Sequence, residues 1–269
     1  MSKRAIEKIN GHALEQVFLS VEDHIAFITL HNPPVNAISG TVQKELLLIC
    51  QYVNHDDDIW VCIMHSDLKT FCVGVDINRF YQSILDKDVT NTVELFYDGA
   101  KALYEIRVPL ICAVHGHCLG GGMCYPAGAD ISIAVKGTLF GAPEAKLSVV
   151  GGPGHLSRIL PQQILRDMAY CGTFITAEDL HNKYGGVTGV VDTLDELIPA
   201  AIAKAKELCK RGPLILRYIK ACLNEQEDFH IARKNDLEVK YTRYMARHSD
   251  FKEGVSAFLE KREPQYKGE

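Results

Sequence analysis

The chain has 269 residues, of which 47% are hydrophobic and 23% are charged, and its formal net charge is −5. This composition predicts an ordinary globular protein with one large domain, or one domain plus an appendage. The acidic balance and the lack of a basic run argue against nucleic acid as the main partner. No stretch approaches the roughly 18 uninterrupted apolar residues of a membrane span.

The cysteines and the N-terminus bear on the compartment. The nine cysteines are an odd number, lie in apolar segments and form no Cys-x-x-Cys pair. This pattern favours reduced thiols over a disulfide framework. The first twelve residues are polar and lack the apolar centre of a signal peptide. A cytoplasmic protein is therefore expected.

Residues 1–14 are expected to form a loose extension before the main domain, which we place at 15–192. The elements predicted over the first part of that domain are a hairpin (16–20 and 25–30), a half-buried helix (41–52), a solvated acidic turn (54–58) and a strand (60–65). The repeated order of strand, glycine turn and helix predicts an α/β protein whose units wind into a sheet with helices outside.

The segment from 108 to 152 is the most informative about function. A β-branched run at 108–114 predicts a buried strand, and a turn of three glycines, 120–122, follows it before a short helix at 123–129. This arrangement directs free backbone N–H groups towards one point, where glycine lets a ligand touch the backbone. Glu144 returns in the loop after the next strand, 131–135. Donors for a developing negative charge beside one acid/base indicate enolate or oxyanion chemistry.

The last part of the chain, 193–269, is predicted to be helical. Apolar residues at steps of three and four indicate helices at 177–183, 194–210, 213–227 and 231–247. Such a region either caps its own core or packs on neighbouring subunits, and the spacing alone leaves both open.

Five motifs along the chain carry a family resemblance. They are HNPPVNAIS (31–39), TFCVGVDI (70–77), HGHCLGGGMCYPAGADISIA (115–134), PEAKLSVVGGPG (143–154) and EGVSAFLEKREPQYKG (253–268). In order and in spacing they resemble the signature motifs of the crotonase (enoyl-CoA hydratase/isomerase) superfamily. The resemblance implies a crotonase-like spiral of ββα units, a C-terminal helical region that forms trimers or dimers of trimers, and an acyl-CoA thioester as substrate with no further cofactor.

The resemblance also implies the roles of three site residues. The backbone N–H groups of Val75 and Gly121 would hold the thioester oxygen, and Glu144 would be the acid/base. Family hydratases carry a second glutamate at the position of Cys124. A single carboxylate suits an enzyme that takes a proton from one carbon and returns it to another, so double-bond isomerisation is slightly favoured. Hydration or a related lyase reaction by Glu144 and water stays open, as does a non-catalytic or RNA-interacting homologue.

Possible helpers of Glu144 are Cys124, Tyr125 and His155. Cys124 is either a thiol with a pKa lowered at a helix start or a small buried filler. Tyr125 faces either the core or the acyl pocket. His155 is interpreted as a cap of the helix that follows rather than as a base in the acyl pocket. His115 and His117 are expected to be structural, because no third metal ligand is evident, and no metal site is predicted.

The resemblance further implies which residues meet the coenzyme A portion. Those for its adenine and pantetheine are Val35, Asn36, Ala37, Cys72 and Val73, and those that meet it from a neighbouring subunit are Phe258 and Lys261. A lysine there would serve as a point charge for phosphate. Asp76 and Asp130 are expected to be structural ties. The acyl group is left open. Aromatic residues such as Phe96 and Tyr97 indicate no more than an apolar pocket, and ordinary packing of a helix on the core explains them at least as well.

Overall fold

The computed structural model describes residues 3–86, 88–227 and 231–267. Its strands are β1 (Arg4–Ile6), β2 (Lys8–Ile9), β3 (His12–Ala13), β4 (Val17–Glu22), β5 (Ile25–Leu30), β6 (Val61–Ser66), β7 (Leu110–Val114), β8 (His117–Leu119), β9 (Ile131–Val135), β10 (Leu139–Gly141), β11 (Phe174–Thr176) and β12 (Gly189–Val191). Its helices are α1 (Gly40–His55), α2 (Ile77–Leu85), α3 (Val89–Tyr104), α4 (Cys124–Gly128), α5 (Pro153–Leu156), α6 (Gln162–Cys171), α7 (Ala177–Asn182), α8 (Leu194–Cys209), α9 (Pro213–Gln226), α10 (Ile231–Met245) and α11 (Ser249–Leu259). Two 3₁₀ helices cover Gly120–Met123 and Pro143–Leu147.

A seven-stranded sheet with the order β1-β4-β5-β6-β7-β9-β12 forms the centre of the fold. Strand β4 is antiparallel to β1 and β5, and the pairs from β5 to β12 are parallel. A smaller sheet, β11-β10-β8, lies beside it, and a bridge between Cys72 and Cys118 continues that sheet by one segment. The chain thus alternates between the two sheets, as a spiral of ββα units does.

Both faces of the large sheet are covered, which explains the unbroken apolar runs of its strands. On one face, Val61, Ile63 and Ile111 pack with Leu197 and Ala201 of α8. The intervening residues of β6, Cys62 and Met64, belong to the main core on the opposite face. Alternate residues of one strand therefore serve two separate cores.

The predicted α/β class with helices at the C-terminal end is confirmed. Helix α8 begins next to the predicted boundary at 192, yet it belongs to the core because it covers the large sheet. Helix α10 packs on α3 and α5, and α11 packs on α2. Four of these helices, α2, α3, α5 and α11, lie outside the predicted helical ranges.

The N-terminal segment differs from the expected loose extension. Strand β1 is the antiparallel edge of the large sheet, with Ala5 opposite Ser20. The carboxylate of Glu45 is buried in α1 and accepts the backbone N–H groups of Glu15, Gln16 and Val17 at 2.7–2.8 Å. Residues 4–14 are therefore part of the fold. Among the described residues, no helix is both long and apolar enough to cross a lipid bilayer.

Candidate active site

A largely apolar cavity of about 570 Å³ lies where the glycine turn, the loop before α2 and the loop around Glu144 meet. Helix α3 closes one side through Phe96 and Tyr97, and α10 contributes Thr242. Of the catalytic and coenzyme A-binding residues predicted from the sequence, those that line this cavity are Ala37, Val73, Val75, Gly121, Glu144 and Phe258. The structure thus brings the proposed donors and the proposed acid into one space.

The two backbone donors are directed by neighbouring hydrogen bonds. Ile38 forms a parallel bridge with Val75: the N–H of Ile38 donates to the carbonyl of Gly74 (2.8 Å), and the N–H of Asp76 donates to the carbonyl of Ile38 (3.1 Å). In such a bridge the N–H of the middle residue, Val75, points away from the partner strand. The N–H of Gly121 falls in the first turn of a 3₁₀ helix, where amides have no partner within the helix.

Gly74 makes the close approach of these two segments possible. Its φ is +95°, and a Cβ on it would lie 3.3 Å from the nitrogen of Gly121 and 3.0 Å from the carbonyl oxygen of Leu119. Both the backbone conformation and the lack of space require glycine there. The Val75 and Gly121 amides therefore lie at the same end of the cavity, as an oxyanion hole requires.

A buried asparagine ties this donor side together. Asn36 has a φ of 53° and is 3% exposed. Its Oδ1 accepts the N–H of Asn32 (2.7 Å), and its Nδ2 donates to Oγ of Ser66 (2.7 Å) and to the carbonyl of Phe71 (2.9 Å). The thiol of Cys72 donates to the carbonyl of Asn36 (3.1 Å). Asn36 and Cys72 therefore hold the loop that carries Val75.

Glu144 faces these donors from the second 3₁₀ helix. A Cβ on Gly120 would lie 2.9 Å from its Oε1, and one on Gly151 would lie 3.1 Å from its Cδ. Although the residue as a whole is half-buried, its Oε2 is buried and has no hydrogen-bond partner in the described part of the chain. Burial raises the pKa of Glu144 from its usual 4.5 to about 7. A carboxyl that titrates near neutral pH can both take and return a proton.

Cys124 and Tyr125 lie behind the cavity rather than in its lining. Both side chains are fully buried. A Cβ on Gly152 would lie 2.7 Å from Sγ of Cys124, so this glycine separates the thiol from the cavity. Burial raises the pKa of Cys124 well above its ordinary value, which opposes the lowering expected at a helix start. The hydroxyl of Tyr125 accepts a hydrogen bond from Nε2 of Gln43 (3.3 Å) and its ring packs in the core.

The histidines occupy three different environments. His155 lies inside α5, is fully buried and has no partner for either ring nitrogen within the described residues, so it does not cap a helix. Burial lowers the pKa of His155 to about 3, and its ring packs on Tyr97 with centroids 6.4 Å apart. His115 is buried and its Nε2 donates to the carbonyl of Leu68 (2.8 Å), whereas His117 is exposed.

Only some of the residues expected to contact the coenzyme A portion line the cavity. Val35 is half-buried next to the Asn36 network, and Ala37 and Val73 line the cavity. Phe258 lines the cavity although 54% of it is exposed, and the exposed Lys261 follows α11. Asp76 caps α2 through the N–H groups of residues 78 and 79, and Asp130 accepts from Leu110 and Lys220, so both are structural ties, as predicted.

The sequence left the role of Phe96 open and gave no indication of Glu238. Phe96 packs directly on the glycine turn, since a Cβ on Gly121 would lie 2.7 Å from its ring. Glu238 of α10 is buried next to the segment 151–154 and accepts the N–H of Gly154. A glutamate on an amphipathic helix is ordinarily a surface residue, so no signal in the sequence could have pointed to it.

The fold is a spiral of ββα units, and its cavity brings two backbone amides and one carboxyl group together, an arrangement suited to holding an anionic oxygen beside a proton-transfer group. The family model described as "Enoyl-CoA hydratase/isomerase" matches residues 20–269. The chain therefore belongs to this family, as its motifs predicted.

Individual relatives and solved structures agree with the assignment. The chain is 30% identical to the 1,2-epoxyphenylacetyl-CoA isomerase of Escherichia coli, with 95% of this chain and 99% of that protein covered. It is 26% identical to the 2,3-dehydroadipyl-CoA hydratase of the same organism, over 95% and 100%. The carnitinyl-CoA hydratase structure from Mycobacterium avium superposes with a TM-score of 0.82 at 25% identity, over 94% and 99%. Isomerases and hydratases are thus similarly related to this chain.

Proposed function

We propose that the protein is an acyl-CoA enzyme that stabilises a thioester enolate and moves a double bond within an enoyl-CoA, with Glu144 as its acid/base. One observation carries this proposal: Glu144 has an unpartnered buried carboxyl oxygen and shares a cavity with the Val75 and Gly121 amides. The relatives named as acyl-CoA isomerases and hydratases support a thioester substrate, and no cofactor beyond its coenzyme A is proposed.

The proposed steps use one acid and two donors. The Val75 and Gly121 amides bind the thioester oxygen of a 3-enoyl-CoA. The Glu144 carboxylate takes a proton from the carbon beside the carbonyl, and the resulting dienolate places its negative charge on the bound oxygen. Glu144 then returns the same proton to the far carbon of the allyl system, which gives the 2-enoyl-CoA. A pKa near 7 suits both halves of this transfer.

The position of Cys124 supports isomerisation over hydration. This residue stands where family hydratases carry a second glutamate, and it is a buried thiol behind Gly152 with a raised pKa. A thiol of this kind does not replace a carboxylate that activates water. Addition of water by Glu144 alone is the second candidate, and the similarity to a hydratase supports it. A non-catalytic or RNA-interacting role is disfavoured because the acid and both donors are retained.

The test compares the purified protein with its Glu144→Gln variant, and Glu7→Gln serves as the control because Glu7 is exposed and lies on the N-terminal edge. One assay follows conversion of 3-enoyl-CoA to 2-enoyl-CoA, and the other follows hydration of crotonyl-CoA, across several chain lengths. We expect isomerisation without hydration, and a fall of about 100- to 10,000-fold in kcat for Glu144→Gln alone. Hydration at a comparable rate would establish the second candidate. Activity that survives in Glu144→Gln would overturn both.

We also propose that Ala37, Val73, Phe258 and Lys261 contact the coenzyme A portion. Ala37, Val73 and Phe258 line the cavity, and Lys261 is an exposed cation three residues after Phe258. Lys261→Gln should raise KM for the thioester several-fold with little change in kcat, because a phosphate contact stabilises ground and transition states equally. A change in kcat without a change in KM would contradict this assignment.

We further propose that the chain assembles as a homotrimer or a dimer of trimers. Helix α9 exposes a row of large apolar side chains on its surface: Leu214, Ile215, Tyr218, Ile219 and Leu223. Exposed apolar faces of this kind mark contacts between proteins. Sedimentation velocity should give a trimer or hexamer mass, and Ile219→Glu should lower it, whereas Glu225→Gln should not. A monomer at micromolar concentration would refute the proposal.

A further inference from the structure

A second acid is buried behind Glu144. Glu238 of α10 is 5% exposed, its Oε1 accepts the N–H of Gly154, and its Oε2 is buried with no partner in the described residues. Gly154 permits this contact, because a Cβ on it would lie 2.7 Å from the same Oε1. Burial raises the pKa of Glu238 to about 8. The site therefore holds two carboxyl groups that are largely desolvated.

Tyr97 connects the second acid to the first. Its hydroxyl donates to the carbonyl of Gly151 (2.6 Å), and the carboxyl of Glu238 lies close enough to interact with the same hydroxyl. Gly151 in turn packs on Glu144, since a Cβ on it would lie 3.1 Å from Cγ and Cδ of that residue. A phenol has one proton, so the Tyr97 hydroxyl can donate fully to only one of these two acceptors. An ionised Glu238 attracts that proton more strongly than a neutral one.

The groups around Glu238 do not prevent its ionisation from affecting that of Glu144. Five titratable or charged groups of the described residues surround Glu238. They are Tyr97 of α3, Cys124 of α4, His155 of α5, Glu144 of the second 3₁₀ helix and Lys234 of α10 itself. Lys234 is the one cation among these described groups, and its Nζ donates to Oγ of Ser157 (3.1 Å). Like charges in a shared, poorly solvated space disfavour each other, so the carboxyls titrate as a pair.

We propose that Glu238 and Tyr97 are positioning residues for Glu144: neutral Glu238 leaves the Tyr97 hydroxyl on Gly151 and fixes the 151–154 segment against Glu144, whereas ionised Glu238 withdraws that hydroxyl and places a second negative charge beside the acid. This inference rests on the proposed role of Glu144 in proton transfer. Helix α10, from the C-terminal region, thereby takes part in setting the protonation of the active site.

The consequence is a pH profile with two limbs. Activity rises as Glu144 ionises to become a base, and it falls at higher pH as Glu238 ionises. The kcat of the wild-type protein should therefore be bell-shaped between pH 5.5 and 10, and it should fall about tenfold per pH unit above the second ionisation.

The first experiment measures this profile for the wild type, Glu238→Gln and Asp236→Asn, the last being a control because Asp236 is exposed on the same helix. Glutamine keeps an oxygen for the Gly154 N–H but carries no ionisable group. We expect Glu238→Gln to retain the acidic limb and to lose the alkaline limb, with Asp236→Asn unchanged. An unaltered bell shape in Glu238→Gln, merely scaled in height, would mean that Glu238 is only structural and would overturn the proposal.

A second experiment does not depend on activity. Thermal unfolding is followed at pH 6 and pH 9 for the wild type, Glu144→Gln, Glu238→Gln and the double variant. At pH 9 each single substitution should raise the midpoint, and the gain from Glu238→Gln should be smaller when Glu144 is already glutamine. Equal gains in both backgrounds would show that the acids are uncoupled and would refute the inference, while leaving the proposed function intact. If the gains in unfolding midpoint are coupled but the wild-type protein has no activity on acyl-CoA thioesters, the proposed function alone would be refuted.

Discussion

The two walls of the cavity differ in whether their buried polar groups have hydrogen-bond partners. The donor wall, which comprises residues 36–38, 70–75 and 118–121, has its buried polar groups joined by hydrogen bonds, with Asn36 at the centre. The acid wall comprises Glu144, the segment 151–155, Tyr97 and Glu238. It holds four buried polar atoms without partners among the described residues: Oε2 of Glu144, Oε2 of Glu238 and both ring nitrogens of His155.

This difference fits the roles proposed for the two walls. An oxyanion hole acts through fixed dipoles, so its donors are most effective when hydrogen bonds hold them rigidly before substrate arrives. A group that transfers protons needs a pKa near the working pH, and burial without partners provides that shift. The hydrogen bonds of the donor wall therefore stabilise the folded protein. The unpartnered groups of the acid wall destabilise it, and the same burial shifts the pKa of the acid towards neutral pH.

Breaking the donor wall should have the largest effect on stability. Asn36→Ala removes the hydrogen bonds of a buried side chain to residues 32, 66 and 71 and places alanine at a φ of 53°, so the free energy of unfolding should fall by about 2–4 kcal/mol. Activity should fall as well, because Asn36 holds the loop of Val75. Urea unfolding at one protein concentration measures the change, and Asn182→Ala, at an exposed position, is the control. A loss below about 1 kcal/mol would contradict the account of this wall.

His155→Phe removes an unpartnered ring from the acid wall and should raise the free energy of unfolding at acidic pH. The pKa of His155 is lowered to about 3, so the unfolded chain binds a proton below pH 6.5 that the folded protein does not. His155 should therefore contribute a loss of stability as the pH drops from about 6.5 to 3, and His155→Phe should remove that contribution. At pH 4 the variant should be more stable by about 2–3 kcal/mol. His117→Phe, at an exposed position, is the control, and an equal acid dependence in wild type and His155→Phe would argue against a buried neutral ring.

Neutralising the acid itself should give a smaller gain, at alkaline pH. The pKa of Glu144 is raised to about 7, so the folded protein holds a proton that the unfolded chain releases above about pH 4.5. Its contribution is therefore unfavourable above pH 7 and disappears below pH 4.5. Glu144→Gln should be more stable than wild type by about 1–3 kcal/mol at pH 8 and equal to it at pH 4.5. Denaturant midpoints at both pH values check this, and a difference independent of pH would exclude a buried ionising carboxyl.

Sequence reasoning located the donor wall better than the acid wall. Val75, Gly121 and Glu144 line one cavity, as their motifs led us to expect, because glycine turns and the segments beside them are local features of the chain. Asn36 was expected to contact coenzyme A, but its side chain is used by Ser66 and Phe71, which are more than 25 residues away. His155 was interpreted as a cap, yet only the packing of α3 and α10 shows that its ring is buried.

The sequence by itself determined the family and the α/β order of elements and indicated Glu144 as the candidate acid, because these follow from short motifs and from the periodicity of apolar residues. Only the tertiary structure decided that residues 4–6 complete the large sheet, that Cys124 lies behind Gly152 and that Glu238 stands beside the site. These are contacts between segments far apart in the chain. The protonation of a buried acid depends on such neighbours, and the local sequence does not record them.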